Sequence, residues 1–111
     1  MAKYALLFVG GRVPDERREQ NEDDWMAWMA KLAEAGVLVD GAAFGGGKVL
    51  NPVEGVRPFV WEKSSKAAGY CVVRVENLDE AVKLAKDCPH LLPEYGRGSV
   101  EVREITEEKS A

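Results

Sequence analysis

The chain has 111 residues, of which 46% are hydrophobic and 31% charged, and its formal net charge is −4. A chain of this length typically forms one domain, the mixed charges argue against a nucleic-acid-binding stripe, and no apolar run approaches the roughly 18 residues of a membrane span. We therefore expect one soluble domain over residues 1–106 and a polar tail over residues 107–111, with neither nucleic acid nor membrane as a partner.

Lys3 to Val9 is a short apolar run that ends at Gly10-Gly11, and it predicts a central strand. The run lacks the length and the cleavage pattern of a secretory signal. We therefore expect the protein to be cytoplasmic.

A helix is predicted from Asn21, as the N-cap, to about Ala35. Acidic residues fill its first turn, and Gly36 provides a C-terminal stop. The apolar positions that recur at i, i+3, i+4 and i+7 are Trp25, Trp28, Met29 and Leu32. One helix face is therefore buried, and both tryptophans are expected to belong to the core rather than to a stacking platform.

Val37 to Phe44 predicts the second strand, and Gly45 to Gly47 predicts a turn that folds Lys48 to Leu50 back antiparallel to it. The glycines and the lysine invite comparison with a phosphate-binding P-loop. However, Ala42 stands where that motif needs its first glycine, and Val49 where it needs Ser or Thr. We therefore interpret the glycines as a hairpin tip with an exposed lysine.

From Asn51 to Lys66 the apolar pattern has no period, and Pro52, Gly55 and Pro58 disfavour regular structure. The apolar run from Pro58 to Trp61 is nevertheless expected to return to the core or to line a cleft.

Gly69 to Glu76 alternates clearly and predicts a strand. Alternate residues share a face, so that one side carries Cys71, Val73 and Val75 and the other carries Tyr70, Val72 and Arg74. The two cysteines, Cys71 and Cys88, lack CxxC spacing and are expected to be reduced core thiols.

Asn77 to Cys88 predicts a second helix, with Glu80 in capping-box register and Pro89 as its stop. After a loop from His90 to Gly98, Ser99 to Ile105 predicts the last strand. The inward residues of that strand are expected to be Val100 and Val102.

The order of elements indicates an α+β fold of ferredoxin-like βαββαβ type, in which an antiparallel sheet carries two helices on one face. The open face of the sheet is expected to carry apolar residues, namely Tyr70, Val72 and some of Tyr4, Leu6 and Phe8. Because small domains seldom leave a large apolar patch in water, we expect a homodimer that packs two open faces together. A cleft would then remain at the helix–sheet edge or at the dimer rim.

Ordered short matches along nearly the whole chain resemble the YCII-related family, in particular its DGPF branch. The matching segments are Lys3 to Phe8, Trp28-Met29, Ala35 to Gly41, Pro58 to Val60, Gly69-Tyr70, Leu78 to Ala81, Cys88 to His90 and Gly98 to Arg103. The resemblance implies a dimeric α/β barrel built from ferredoxin-like protomers. It transfers little function, because the family is largely uncharacterised.

Some family members are discussed as enzymes because of a His-Asp pair in a pocket. This chain has no histidine in its first predicted helix, and Val56-Arg57 replaces the Asp-Gly of the DGPF motif, of which Pro58-Phe59 remains. A role for the motif's aspartate therefore does not carry over to this chain.

His90 is the candidate general base, because it is the only side chain here with an ordinary pKa near neutrality. Catalysis would need an orienting carboxylate such as Asp40 or Glu62. The alternative is a histidine that caps the helix or packs in the loop. Asp40 lies in an apolar strand, so it either faces solvent or is held by a partner, for which Arg57, Lys63 and Arg74 are candidates.

Candidate ligand-binding residues are those of the irregular segment and the neighbouring strand face, namely Arg57, Phe59, Trp61, Lys63 and Tyr70. One histidine and two separated cysteines cannot supply a usual metal-ligand set, and flavin and nicotinamide fingerprints are absent, so neither metal nor cofactor is expected.

Two functions are compatible with these residues. The first is a small-molecule-binding or accessory homodimer that takes an anionic or aromatic ligand. The alternative is a cofactor-independent acid/base enzyme, an isomerase or lyase, that uses His90 with a carboxylate. A His90–carboxylate pair inside a cleft would favour the enzyme.

Overall fold

The computed structural model describes residues 1–106, so the predicted tail over residues 107–111 lies outside the described residues. Within the described range the chain forms six strands and two α-helices. Their bounds are β1 Ala2–Val9, α1 Arg18–Glu34, β2 Leu38–Ala43, β3 Lys48–Asn51, β4 Gly55–Pro58, β5 Ala67–Val75, α2 Leu78–Ala85 and β6 Ser99–Glu104.

Four of the strands form one antiparallel sheet in the order β2-β5-β1-β6. Each strand–helix–strand unit leaves a gap that a strand of the other unit fills, which is the ferredoxin-like arrangement. The predicted α+β fold is therefore confirmed. β3 and β4 pair only with each other and form a separate hairpin.

The core lies between the sheet and the two helices. Strand alternation places one set of residues beneath the helices, and the buried set is Tyr4, Leu6, Phe8, Cys71, Val73 and Val75. The prediction that Tyr4, Leu6 or Phe8 contributes to the open face is therefore wrong, because Leu6 pairs with Cys71 and faces the same side. The open face carries Ala5, Leu7 and Val9 with Tyr70 and Val72.

α1 begins a turn earlier than predicted, at Arg18, after a 3-10 turn at Asp15–Arg17. Asn21 therefore lies inside the helix and does not cap it. The residues before Asn21 include no Gly or Pro after Pro14, so nothing in the chain stops the helix from extending backward. The C-terminal stop is as expected, since Gly36 follows the helix at a φ of +73°.

The predicted return of Lys48 to Leu50 onto β2 is wrong. β3 pairs with β4, so Gly45 to Gly47 is a connection and not a hairpin tip. The turn forms instead after Asn51, whose Oδ1 accepts the N–H groups of Val53 and Glu54 at 2.8 and 3.1 Å. This Asx turn stabilises a local hairpin that three flexible glycines do not specify. The expectation of irregular structure over residues 51–66 is therefore wrong for Asn51, which ends β3, and for Gly55–Pro58, which form β4, and the rest of the segment has no strand or α-helix.

β5 has the predicted faces, and β6 directs Val100 and Val102 toward the core. α2 ends at Ala85, earlier than the predicted Cys88, and a 3-10 turn at Pro89–Leu91 follows. A second 3-10 turn at Pro93–Tyr95 brings Tyr95 into the interior. None of the helices described in residues 1–106 has both the length and the apolar character needed to cross a membrane.

Replacing Asn77 by Ala is expected to lower the free energy of unfolding by about 1 kcal/mol. The Asn77 side chain accepts the Glu80 N–H at 3.0 Å, and its removal leaves that donor at the start of α2 without its cap. Urea unfolding of the variant and of Asn77→Ser would test this. The serine retains a capping oxygen, so equal losses in both variants would contradict the capping role.

Candidate functional site

The main cleft lies at the edge of the sheet, between α1 and the loops that follow β1 and α2. Its volume is about 630 Å³, and its lining is mainly apolar. The large apolar and aromatic residues that line it are Phe8, Trp25, Met26, Met29, Trp61 and Tyr70, the last of which belongs to β5 with its side chain on the open face of the sheet. They come from two strands, one helix and the segment after β4, so only the folded chain brings them together.

An aromatic cluster forms the floor of the cleft. Phe8 packs edge to face against Trp25 with ring centroids 4.8 Å apart, and Trp25 packs in the same manner against Trp28 at 5.6 Å. Trp28 belongs to the core, and its Nε1 donates to the Leu84 carbonyl at 3.3 Å. The edge-to-face contacts hold the Trp25 ring in a defined position, and the hydrogen bond fixes Trp28 beside it. The helical period predicts that both tryptophans belong to the core, yet Trp25 lines the cleft.

His90 lines the same cleft, in the 3-10 turn after α2. Its Nε2 lies 3.0 Å from the Val9 carbonyl oxygen. A carbonyl only accepts, so Nε2 must donate, and Nδ1 is left as the acceptor of the neutral ring. The ring also packs against Phe8 and Trp25, with centroids 5.9 and 6.4 Å away. His90 is thus held by the backbone and by aromatic neighbours.

Asp40, the other candidate catalytic residue, is engaged elsewhere. Tyr70 donates its hydroxyl to Asp40 Oδ2 at 2.8 Å, and the Gly41 N–H donates to Oδ1 at 2.8 Å. The hydrogen bond to this carboxylate, together with its negative charge, raises the pKa of Tyr70. No hydrogen bond between described residues joins His90 to Asp40 or to another carboxylate. The structure therefore does not bring the two candidate catalytic groups together.

The five predicted ligand-binding residues divide between two places. Trp61 and Tyr70 line the main cleft, and Phe59 packs against Trp61 with ring centroids 6.4 Å apart. Arg57 and Lys63 line a separate cleft of about 440 Å³ beside the β3–β4 hairpin. Arg57 also forms an exposed ion pair with Glu54 at 3.3 Å.

Four polar residues of the main cleft were not predicted as site residues: Arg12, Asn21, Glu22 and Tyr95. Asn21 Nδ2 is buried without a hydrogen-bond partner among residues 1–106. Tyr95 donates its hydroxyl to Asp24 Oδ2 at 2.5 Å, which joins the second 3-10 turn to α1. Arg12 is the one with a local signal, because it lies in the loop directly after a strand, and binding residues are common in such loops.

Among the described residues no group of three or more His, Cys, Asp and Glu side chains could hold a metal ion. Cys71 and Cys88 are free and buried. Burial raises the pKa of the Cys71 thiol to about 11 and that of Cys88 to about 12. Both thiols therefore stay protonated near neutral pH, in a state that is a poor nucleophile.

Comparison with known families gives one clear result. The YCII-related domain matches residues 2–109, which include both helices and all six strands. Comparison with curated proteins gives no match. The ordered segments that suggested this family from the sequence lie along the same range, and the resemblance is confirmed. The chain therefore belongs to the YCII-related family.

Proposed function

We propose that the protein binds a small molecule with an aromatic or apolar body and an anionic group in the cleft beside α1. The observation that carries the proposal is the convergence of Phe8, Trp25 and Trp61 on one mainly apolar cleft. Its volume of about 630 Å³ falls within the roughly 300–1,000 Å³ of typical ligand pockets. Aromatic walls of this kind bind flat rings through buried area and edge-to-face contact.

The polar groups of the cleft support an anionic or oxygen-bearing end on the ligand. Arg12 lines the cleft and forms no ion pair with another described residue. Asn21 has a donor without a partner in the described part of the chain, and an unpaired buried donor costs about 1–3 kcal/mol. Rotation of its side chain would present this donor to a ligand oxygen. Glu22 also lines the cleft, so a second anionic group on the ligand would be unfavourable.

The proposed assembly is a homodimer through the open face of the sheet. The centre of that face carries Ala5, Leu7, Val9 and Val72, with Glu101 and Arg103 of β6 beside them, and no element described in the same chain covers it. Packing two such faces together would remove this apolar surface from water by a self-complementary contact.

The acid/base alternative has less support. His90 lines the cleft, and its Nε2 donates to the Val9 carbonyl. Among the described residues, no carboxylate forms a hydrogen bond with the His90 ring. Asp40 already accepts hydrogen bonds from Tyr70 and from the Gly41 backbone. The Val9 carbonyl can orient the ring, but a carboxylate that would also stabilise the positive charge of a protonated His90 has no counterpart in these contacts. Binding without turnover is therefore the proposal.

Replacing Trp61 by Ala is expected to abolish stabilisation by an aromatic carboxylate. A ligand at ten times its dissociation constant stabilises the native state by about 1.4 kcal/mol, or roughly 5 °C in a domain of this size. Benzoate, phenylacetate and indole acetate would be tested by thermal shift, each against its uncharged amide. The carboxylates should raise the wild-type midpoint more than the amides, and neither series should stabilise Trp61→Ala.

Lys63→Ala is the matched control, because Lys63 lines the other cleft and should leave the shift unchanged. His90→Gln tests the alternative, since turnover of a stabilising compound by the wild type but not by this variant would favour catalysis. A wild-type midpoint that no aromatic acid moves would contradict the proposed binding function.

A further inference from the structure

The β3–β4 hairpin, Lys48–Pro58, forms an arm outside the main sheet. Its two strands pair with each other and with no other described strand. All eight strand residues are exposed. An isolated two-stranded hairpin is marginally stable in water, so an arm of this kind needs a surface to pack against.

The two faces of the arm differ. Residues directly opposite in the ladder share a face, so Leu50 lies beside Val56, and Val49 beside Arg57. The Val49 face lines the 440 Å³ cleft together with Val60, Lys63 and Ser64 of the same chain. Leu50 and Val56 do not line that cleft. Their side of the hairpin is here called the outer face of the arm.

The outer face and the tip of the arm are strongly apolar. Leu50 is 75% exposed, Val56 62% and Val53, at the tip, 90%. Three aliphatic side chains this exposed within a few residues are unfavourable in water and typical of an interaction surface.

The exposed area of the chain is large enough to accommodate a neighbour. The chain exposes 7982 Å², which is roughly 1,900 Å² more than a compact monomer of its mass of 12.2 kDa exposes. A stable protein–protein interface removes about 800 Å² from each partner. The excess is therefore large enough for a full interface, and the arm is one of the two uncovered apolar surfaces described.

We propose that the outer face of the arm docks onto a second copy of this chain. In a two-fold dimer every contact occurs twice, so each protomer would both extend an arm and receive one. This inference rests on the proposed homodimer and extends it from the open sheet face to the arm. A second copy would cover both the open sheet face and the outer face of the arm, whereas an unrelated partner would leave one of them exposed.

The test compares dimer dissociation constants, measured by sedimentation at micromolar and submicromolar concentrations. The arm variant is Leu50→Thr/Val56→Thr, which retains residues of high strand propensity while removing apolar area. Its matched control is Val49→Thr, on the opposite face of the same strand. We expect the arm variant to raise the dissociation constant roughly tenfold or more and the control to change it less than about threefold.

A third variant, Leu7→Lys on the open face, separates the two proposals. A monomeric wild type would overturn both. A dimer that Leu7→Lys weakens but the arm variant does not would overturn the arm inference and leave the homodimer. A dimer that only the arm variant weakens would support the arm and overturn the sheet-face contact.

Hydrogen exchange of the wild type provides a readout that does not depend on the folding of a variant. Amides of the arm and its turn should exchange more slowly at concentrations that form the dimer than in dilute solution. Equal exchange in the arm at both concentrations would overturn the inference.

Discussion

The free energy of unfolding is expected to fall steeply as the pH rises above about 9, because two buried thiols resist ionisation in the native state. Burial raises the pKa of Cys71 from 9.0 to about 11 and that of Cys88 from 9.0 to about 12. In the unfolded chain these thiols ionise near their ordinary pKa. The native state therefore binds more protons in this range, and stability that is fully present below about pH 9 is lost as the pH rises toward about 12.

Tyr95 acts in the same direction at higher pH. Burial, and then the hydrogen bond to Asp24, raises the pKa of its phenol from 10.0 to about 12. The neutral phenol is the form that can donate to the Asp24 carboxylate. The contribution of Tyr95 to the free energy of unfolding is fully present below about pH 10 and declines as the pH approaches about 12.

Urea unfolding at several pH values under reducing conditions would measure the effect. Each cysteine is expected to contribute about 1.4 kcal/mol of lost stability by about pH 10 relative to about pH 7. The double variant Cys71→Ala/Cys88→Ala loses core packing at every pH, so the slope of the unfolding free energy with pH is the quantity to compare. An identical slope in the wild type and the double variant would contradict the assignment to the thiols.

Gly96→Ala is expected to be the most destabilising glycine substitution around the cleft. A Cβ at Gly96 would overlap the backbone nitrogen and oxygen of Arg12, and the φ of Gly96 is +95°. A side chain at such a φ costs about 1–2 kcal/mol by itself. The overlap involves backbone atoms, so it can be relieved only by separating the Tyr95 loop from the loop after β1. We expect a total loss of about 3 kcal/mol or more.

Two matched glycines separate these causes. Gly36 has a φ of +73° but open space where a Cβ would lie, so Gly36→Ala tests the backbone strain alone. Gly46 has open space and no positive φ, so Gly46→Ala should change stability by less than about 0.5 kcal/mol. Because Arg12 and Tyr95 both line the cleft, Gly96→Ala should also reduce binding of any aromatic acid that stabilises the wild type. Equal losses at Gly96 and Gly36 would show that the two loops are not tightly packed.

Local patterns predict most of the elements. The alternation in β5, the spacing of Trp28 and Leu32 and the Asn77 cap each act within a few residues, and all appear in the fold. The β3–β4 hairpin differs from the prediction because the Asx turn at Asn51 directs the chain more strongly than the run of three glycines. Glycines permit a turn without specifying one, whereas a side-chain oxygen that accepts two backbone N–H groups specifies it.

The candidate site is harder to predict than the fold. Residue type alone points to Trp61 and Tyr70, which line the main cleft, and equally to Arg57 and Lys63, which lie in another one. It does not point to Trp25, because a helical period shows which residues turn inward but not whether they meet core or cavity. Val9, which His90 Nε2 contacts, and Tyr70, which donates to Asp40, are far away in the chain from these residues.

The amino-acid order alone is enough to assign the family, the α+β class and the division of β1, β5 and β6 into two alternating faces, because these follow from local order and period-two alternation. Three features required the folded chain: the side of β1 that faces the helices, the set of aromatic rings that share the cleft, and the separation of the β3–β4 arm from the main sheet. They depend on strand register and on packing between distant segments, for which a single sequence carries no local signal.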